Sequence, residues 1–193
     1  MTAAARPIAT TRSSAGLATG KLAVWWVVGS EIVIFGGLLA SYIMYRLAHD
    51  EFAQQAAHTN VWIGTFNTLV LLSSSLSAVL AHQAAEHGDG KKAARLLWVT
   101  IGGAATFIIV KTFEWTMEIT HGFTITSSTF WSFYYTAAGL HALHVIAGGV
   151  IMAIVAAAAA RNQELHRVEL IGIYWHFVDV VWIFLFPLLY IAK

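Results

Sequence analysis

Cysteine is absent from the 193 residues. That excludes disulfides, thiolate metal sites, iron–sulfur ligation and cysteine nucleophiles. Charge is scarce: 11% of the residues are Asp, Glu, Lys or Arg, where a soluble domain carries about 25%. The formal net charge is +1, so nothing in the balance calls for a nucleic-acid partner. No polar stretch is long enough for a soluble domain, and no repeat recurs at a solenoid period. Residues 1–21 have no apolar h-region, which argues against a cleaved secretory signal. They contain Arg6 and Arg12 and no acid. They are read as a flexible basic tail on the cytoplasmic side, in preference to the organellar transit peptide that their composition also resembles.

What remains is apolar: 58% of the residues are hydrophobic and the mean hydropathy is +0.68. The chain reads as an all-α integral membrane protein. Five runs come near the ~20 residues that a spanning helix needs: residues 22–45, 62–83, 96–115, 128–160 and 172–191. Together they predict one five-helix transmembrane domain over residues 22–193. The fourth run is long enough to tilt or to extend past the bilayer. Basic residues set the orientation. Arg6, Arg12, Lys21, Lys91, Lys92, Arg95, Arg161 and Arg167 fall on one side, against Arg46 and Lys193 on the other. The positive-inside rule then puts the N-terminus inside and the C-terminus outside. Small residues four apart, Gly36/Ala40, Gly37/Ser41, Ser74/Ala78, Gly102/Thr106 and Ala138/Ala142, predict closely packed helices. The fifth span lacks them and should pack by aromatic bulk, against lipid or a neighbouring subunit.

An ionisable group at mid-bilayer costs ~2.5–3.5 kcal/mol on insertion scales. Each one within a span is therefore a candidate for function or for interhelical bonding. Glu31 lies about 13 Å into the first span at 1.5 Å per residue, among apolar neighbours. It is either a proton-related carboxyl or one bonded to another helix. Lys111 and Glu114 share a face of the third span and should form an intrahelical ion pair, the lysine stem covering apolar surface. His141 and His144, at i and i+3, could face a metal or haem. A dinuclear site would need Glu-x-x-His on two helices, and none occurs in the spans, so both are read as interhelical histidines. His82 sits at the inner end of the second span, where headgroups are its natural partners. The fifth span, IYWHFVDVVWIFLFPLLY, carries His176 and Asp179 on one face. Trp175, Asp179 and Trp182 fall at i, i+4 and i+7, a stripe that should face inward.

That last span, with YWHFVDVVWIFLF, closely resembles the final helix of subunit III of the haem–copper oxidases. Four other stretches follow in the family's order. GSEIVIFGGLLASY resembles its S-E-x-x-F-F helix, and NTLVLLSSSLSAVLAHQAAEHGD its N-T-x-x-L-x-x-S helix with A-H-H…G-D. Residues 111–115 match Q-x-x-E-[YW], with Lys111 where the family has Gln. GLHALHVIAGG matches G-x-H-x-x-H-V-x-x-G. The resemblance runs from about Trp25 to Tyr190, and covers the last five helices of a family whose longer members have seven. FWSFYYT, residues 130–136, is closer to a subgroup of nitric oxide reductase accessory proteins.

The resemblance implies a non-catalytic subunit of a terminal oxidase in a bacterial plasma membrane. An organellar inner membrane is the lesser alternative. Haem and copper would belong to subunit I, its direct partner, with subunit II in the same complex. This chain would bind no cofactor of its own beyond phospholipid, and would support oxygen reduction and proton uptake. Glu31 would match the family's carbodiimide-reactive carboxylate. Glu114, Lys111, His141, His144, His176 and Asp179 would form an interhelical polar network, His176 and Asp179 meeting Glu31 and His144. Arg161, Trp25 and His82 are candidates for lipid headgroups. A nitric oxide reductase accessory subunit is the alternative. A stand-alone transporter or membrane metal enzyme is a second, for which the sequence offers neither an inverted repeat nor a ligand set.

Overall fold

The computed structural model describes residues 16, 18–49 and 51–192. The basic tail with Arg6 and Arg12, and Lys193, lie outside the described residues. Six α-helices follow one another: α1 Thr19–Ala48, α2 Glu51–Ala56, α3 Val61–Glu86, α4 Gly90–Thr120, α5 Thr129–Ala159 and α6 His166–Phe186. A π-helical turn, Pro187–Ile191, extends α6. Five of these are long and apolar enough to cross a membrane, α6 together with its π turn, and no strand occurs among the described residues. The observed helices outrun the apolar runs because their polar ends continue past the hydrocarbon. The short α2 has no counterpart in the hydropathy pattern; it is too brief to carry a helical period.

Local chemistry sets the helix ends. The Asn60 side chain accepts from the Trp62 and Ile63 amides, Asp89 from Lys92 N and Ser128 from Trp131 N, each satisfying orphan donors of a first turn. Gly88 and Gly122 adopt φ of +76° and +89°, the left-handed region that ends helices without a Cβ penalty. At the first, Gly88 N donates to Ala85 O and Asp89 N to Ala84 O; at the second, Gly122 N donates to Ile119 O and Phe123 N to Glu118 O. Both are two-bond terminations that turn the chain straight into the next element. Pro187, which lacks an amide hydrogen, ends the α-helical ladder of α6. The backbone widens there, and Ala192 N reaches Pro187 O at 2.8 Å.

Helices α3, α4, α5 and α6 close a ring in which each packs on two neighbours, and α1 lies outside it against α6 and α5. Without a hydrophobic drive between helices in lipid, close backbone approach and hydrogen bonds do the work. Gly103 of α4 sits against Ser74 of α3: a Cβ on it would lie 2.7 Å from Ser74 Cβ. One turn away Ser77 Oγ and Thr100 Oγ1 are 2.7 Å apart. Ser74/Ala78 and Ala138/Ala142 are buried in the ring. The α1 pairs are not: Gly36, Ala40, Gly37 and Ser41 all face outward, because the face of α1 that is buried in the bundle centres on Val28, Phe35 and Tyr42, seven apart.

The fifth span also differs from expectation. Trp175, Trp182 and Tyr190 are fully buried inside the bundle, and Tyr174, Phe177 and Phe186 are half-buried. Phe184 remains outside.

The two ends of the bundle are distinct. At one, Lys21 pairs with Glu169 at 2.5 Å and Gly90 N donates to Asn162 Oδ1 at 2.9 Å. At the other, Arg46 bonds the Ala192 carbonyl, the Tyr42 hydroxyl donates to Leu188 O at 2.9 Å and Thr59 Oγ1 donates to Leu189 O at 3.4 Å. Lys21, Lys91, Lys92, Arg161 and Arg167 thus share one end.

Candidate functional site

The polar side chains within the spans fall into separate groups at different places in the bundle. Between α1 and α5, Glu31 Oε2 lies 3.1 Å from His144 Nε2. The contact lies outside hydrogen-bond geometry, so it is a close approach rather than a linear bond. His144 Nδ1 is 2.8 Å from Leu140 O; a carbonyl only accepts, so Nδ1 carries a hydrogen. Phe35 packs edge-on against the imidazole at 5.4 Å, and the Tyr174 hydroxyl donates to His144 O at 3.4 Å.

His176 and Asp179 meet neither Glu31 nor His144. Their helix faces α3 at that height, and His176 Nδ1 lies 2.7 Å from Ser75 Oγ. Asp179 is buried, with neither carboxylate oxygen hydrogen-bonded among the described residues; Ser75 approaches it outside hydrogen-bond geometry. The Trp residues flanking Asp179 do find partners: Trp175 Nε1 donates to Ser74 Oγ at 3.2 Å and Trp182 Nε1 to Thr68 Oγ1 at 3.0 Å.

Lys111 and Glu114 pair within α4 at 3.0 Å, each 1% exposed. The lysine stem does not snorkel over lipid-facing surface, because its face of α4 turns into the ring. Its ammonium also donates to Tyr134 OH at 3.0 Å and to Tyr190 OH, so all three N–H bonds are used. The Tyr134 and Tyr190 rings lie 4.6 and 5.0 Å from the charge, within cation–π range. Tyr190 OH donates on to Glu114 Oε2 at 3.0 Å. Tyr134 and Tyr190 were not singled out as site residues from the sequence. A buried ammonium with three donors to satisfy was the available signal.

His141 is fully buried between Phe107 and Trp182, at ring distances of 5.4 and 5.1 Å, and neither ring nitrogen has a partner among the described residues. Asn67 is likewise buried with both amide atoms unmet. Among the headgroup candidates, Arg161 is exposed, Trp25 is 59% exposed and His82 lies 3.5 Å from Glu86. A largely apolar groove of about 460 Å³ runs between Ala23, Val24 and Val27 of α1 and Ile154, Leu170 and Tyr174 of α5 and α6, with Arg167 on its wall. Among the described residues no group of three or more His, Asp or Glu is placed to hold a metal ion.

The chain is thus an all-helical integral membrane protein whose buried polar groups mostly tie helices to one another. Comparison with known proteins makes this specific: it belongs to the cytochrome c oxidase subunit III family, whose model matches residues 9–193. It is similar to cytochrome c oxidase subunit 3 of Thermostichus vulcanus, at 34% identity over 84% of this chain and 82% of that protein. The protein of the same name from Corynebacterium diphtheriae is 33% identical, covering 86% and 84% of the two chains. That from Bacillus subtilis is 32% identical, covering 88% and 84%.

Proposed function

We propose that the chain serves as the non-catalytic subunit III of a haem–copper terminal oxidase in a bacterial plasma membrane. It flanks subunit I, which holds the haem and copper, in a complex with subunit II, and sustains proton uptake and oxygen reduction there. The observation that carries this reading is the family match over residues 9–193, together with relatives named as cytochrome c oxidase subunits that align over more than four-fifths of their length. Residues 22–193 act as one domain. The basic end of the bundle, with Lys21, Lys91, Lys92, Arg95, Arg161 and Arg167, lies inside, and the chain end lies outside.

Phospholipid is its ligand. The groove between α1 and α5/α6 suits an acyl chain, with Arg167 and Arg161 at the level of headgroups; Trp25 and His82 sit at the same interface. Glu31 is its carbodiimide-reactive carboxyl, and it faces His144. Lys111, Glu114, His141, His176 and Asp179 serve the interhelical contacts of the bundle.

Affinity purification of the tagged chain from gently solubilised membranes tests the reading. The expected eluate carries a haem-containing subunit and consumes oxygen. A monomer with bound iron would overturn it. In the same eluate, a hydrophobic carbodiimide should label the chain at neutral pH, and Glu31→Gln should abolish the label.

A further inference from the structure

Each helix of the four-helix ring carries a buried polar atom that makes no hydrogen bond among the described residues: Asn67 on α3, Glu114 on α4, His141 on α5 and Asp179 on α6. Glu114 has its other oxygen in the Lys111 pair, and Ser75 approaches Asp179. Asn67 and His141 are wholly unmet. Both amide atoms and both imidazole nitrogens lack a partner, and each residue is 0% exposed. A polar group in such an interior is costly without a hydrogen bond, so both side chains call for a partner that this chain does not supply.

The two stand at one height of the bundle. The Trp182 indole of α6 lies 5.1 Å from the His141 imidazole. Its N–H donates to Oγ1 of Thr68, the residue after Asn67. One turn before Asn67, Gly64 lies against the rings of Phe186 and Tyr190. Phe107 of α4 packs edge-on to Trp182 and His141, at 4.8 and 5.4 Å. All four helices thus converge on this level, and lipid has no access to it.

The pattern of donors and acceptors names the occupant. Asn67 offers an acceptor oxygen and a donor NH2, and a neutral imidazole offers one donor and one acceptor in either tautomer. An anion would leave the acceptors unmet. A cation would leave the donors unmet and would add charge near the Lys111 ammonium, which lies 5.6 Å from the same indole. Water both donates and accepts, and a buried water makes about three hydrogen bonds, which these two side chains can provide. We propose that the ring interior binds ordered water at this level, held by Asn67 and His141 alongside Trp182. It links α3 to α5, which are not neighbours in the ring. The site stands on this chain alone, whichever complex the chain joins.

X-ray radiolysis of the purified chain in mild detergent, equilibrated with oxygen-18 water, tests the site. Hydroxyl radicals formed from a bound water attack the side chains that touch it, and mass spectrometry locates the added heavy oxygen. Trp182 and His141 are expected to be labelled. Met152, fully buried and readily oxidised, is expected to stay unlabelled. Absence of label from both Trp182 and His141 in the wild type would overturn the proposal. Labelling of Met152 to the same extent would also overturn it, since solvent would then enter everywhere. Asn67→Leu combined with His141→Phe removes the polar partners while keeping apolar bulk at both positions. The label at Trp182 should then be lost, and that at Trp62, 82% exposed, should be kept. A double variant with a cooperative thermal transition that still labels Trp182 would sink the proposal. If the double variant does not fold, the wild-type comparison of Trp182 with Met152 decides.

Discussion

Lys111→Met would remove the one charge that Glu114 faces at hydrogen-bond distance. Methionine matches the lysine stem in length and fills the same space among Tyr134, Tyr190, Trp115 and Trp182, so little of the cost is steric. The ammonium makes three hydrogen bonds. Breaking a buried pair by deleting one partner costs about 3–5 kcal/mol, most of it the stranded opposite charge. Glu114 is 1% exposed and keeps only the Tyr190 hydroxyl as donor, so about 4 kcal/mol is expected. Replacing both partners by apolar residues of similar size is near neutral. Lys111→Met combined with Glu114→Leu should therefore recover most of the loss. The two tyrosine hydroxyls, 3.2 Å apart, can then bond each other. Purified chain in mild detergent, unfolded by heat or denaturant, gives the two single variants and the double. The expected coupling is about 3 kcal/mol. A Lys111→Met protein as stable as wild type would refute the account of this cluster, as would a double variant worse than the sum of the singles.

Three further outcomes follow from the packing. Gly103→Leu forces side-chain bulk into the 2.7 Å approach to Ser74 and should cost about 1–3 kcal/mol as overpacking, read as a lower thermal midpoint; Gly102→Leu, on open surface, is the matched control. Gly88→Ala, at φ +76°, should cost about 1–2 kcal/mol by left-handed strain without changing membrane insertion; equal thermal midpoints would contradict the helix-end assignment. Asp179→Leu should insert to the wild-type level or better, since a buried carboxyl without a partner is lost, while incorporation into the larger complex falls. Unchanged incorporation, measured by affinity purification, would leave Asp179 without a role in assembly.

Much of this was legible along the chain. The five spans, the interior stripe of Trp175, Asp179 and Trp182, and the pairing of Lys111 with Glu114 all depend on residues within one helix, and the 3.6-residue period relates them directly. Partners across helices were harder. Ser75 stands in a run of three serines, and only the rotation of α3 decides which of them meets His176. Tyr190 lies 79 positions from Lys111, a relation no local period carries. The outward-facing small residues of α1 looked the same in sequence as the inward-facing Ser74 and Ala78, because residue size says how near a helix can come and not which helix it is.

The sequence by itself determined that the chain is an apolar, cysteine-free, all-helical membrane protein, and its ordered motifs pointed to its family. These follow from hydropathy, length and local spacing, which act within each span before any helix meets another. The tertiary structure decided the rest: Glu31 faces His144, the ammonium of Lys111 rests among Tyr134 and Tyr190, and His176 turns one nitrogen to Ser75. In hydrocarbon, an apolar helix face is equally at home against lipid or protein. Which polar group meets which is therefore set by the rotation and register of whole helices, and only the assembled bundle fixes those.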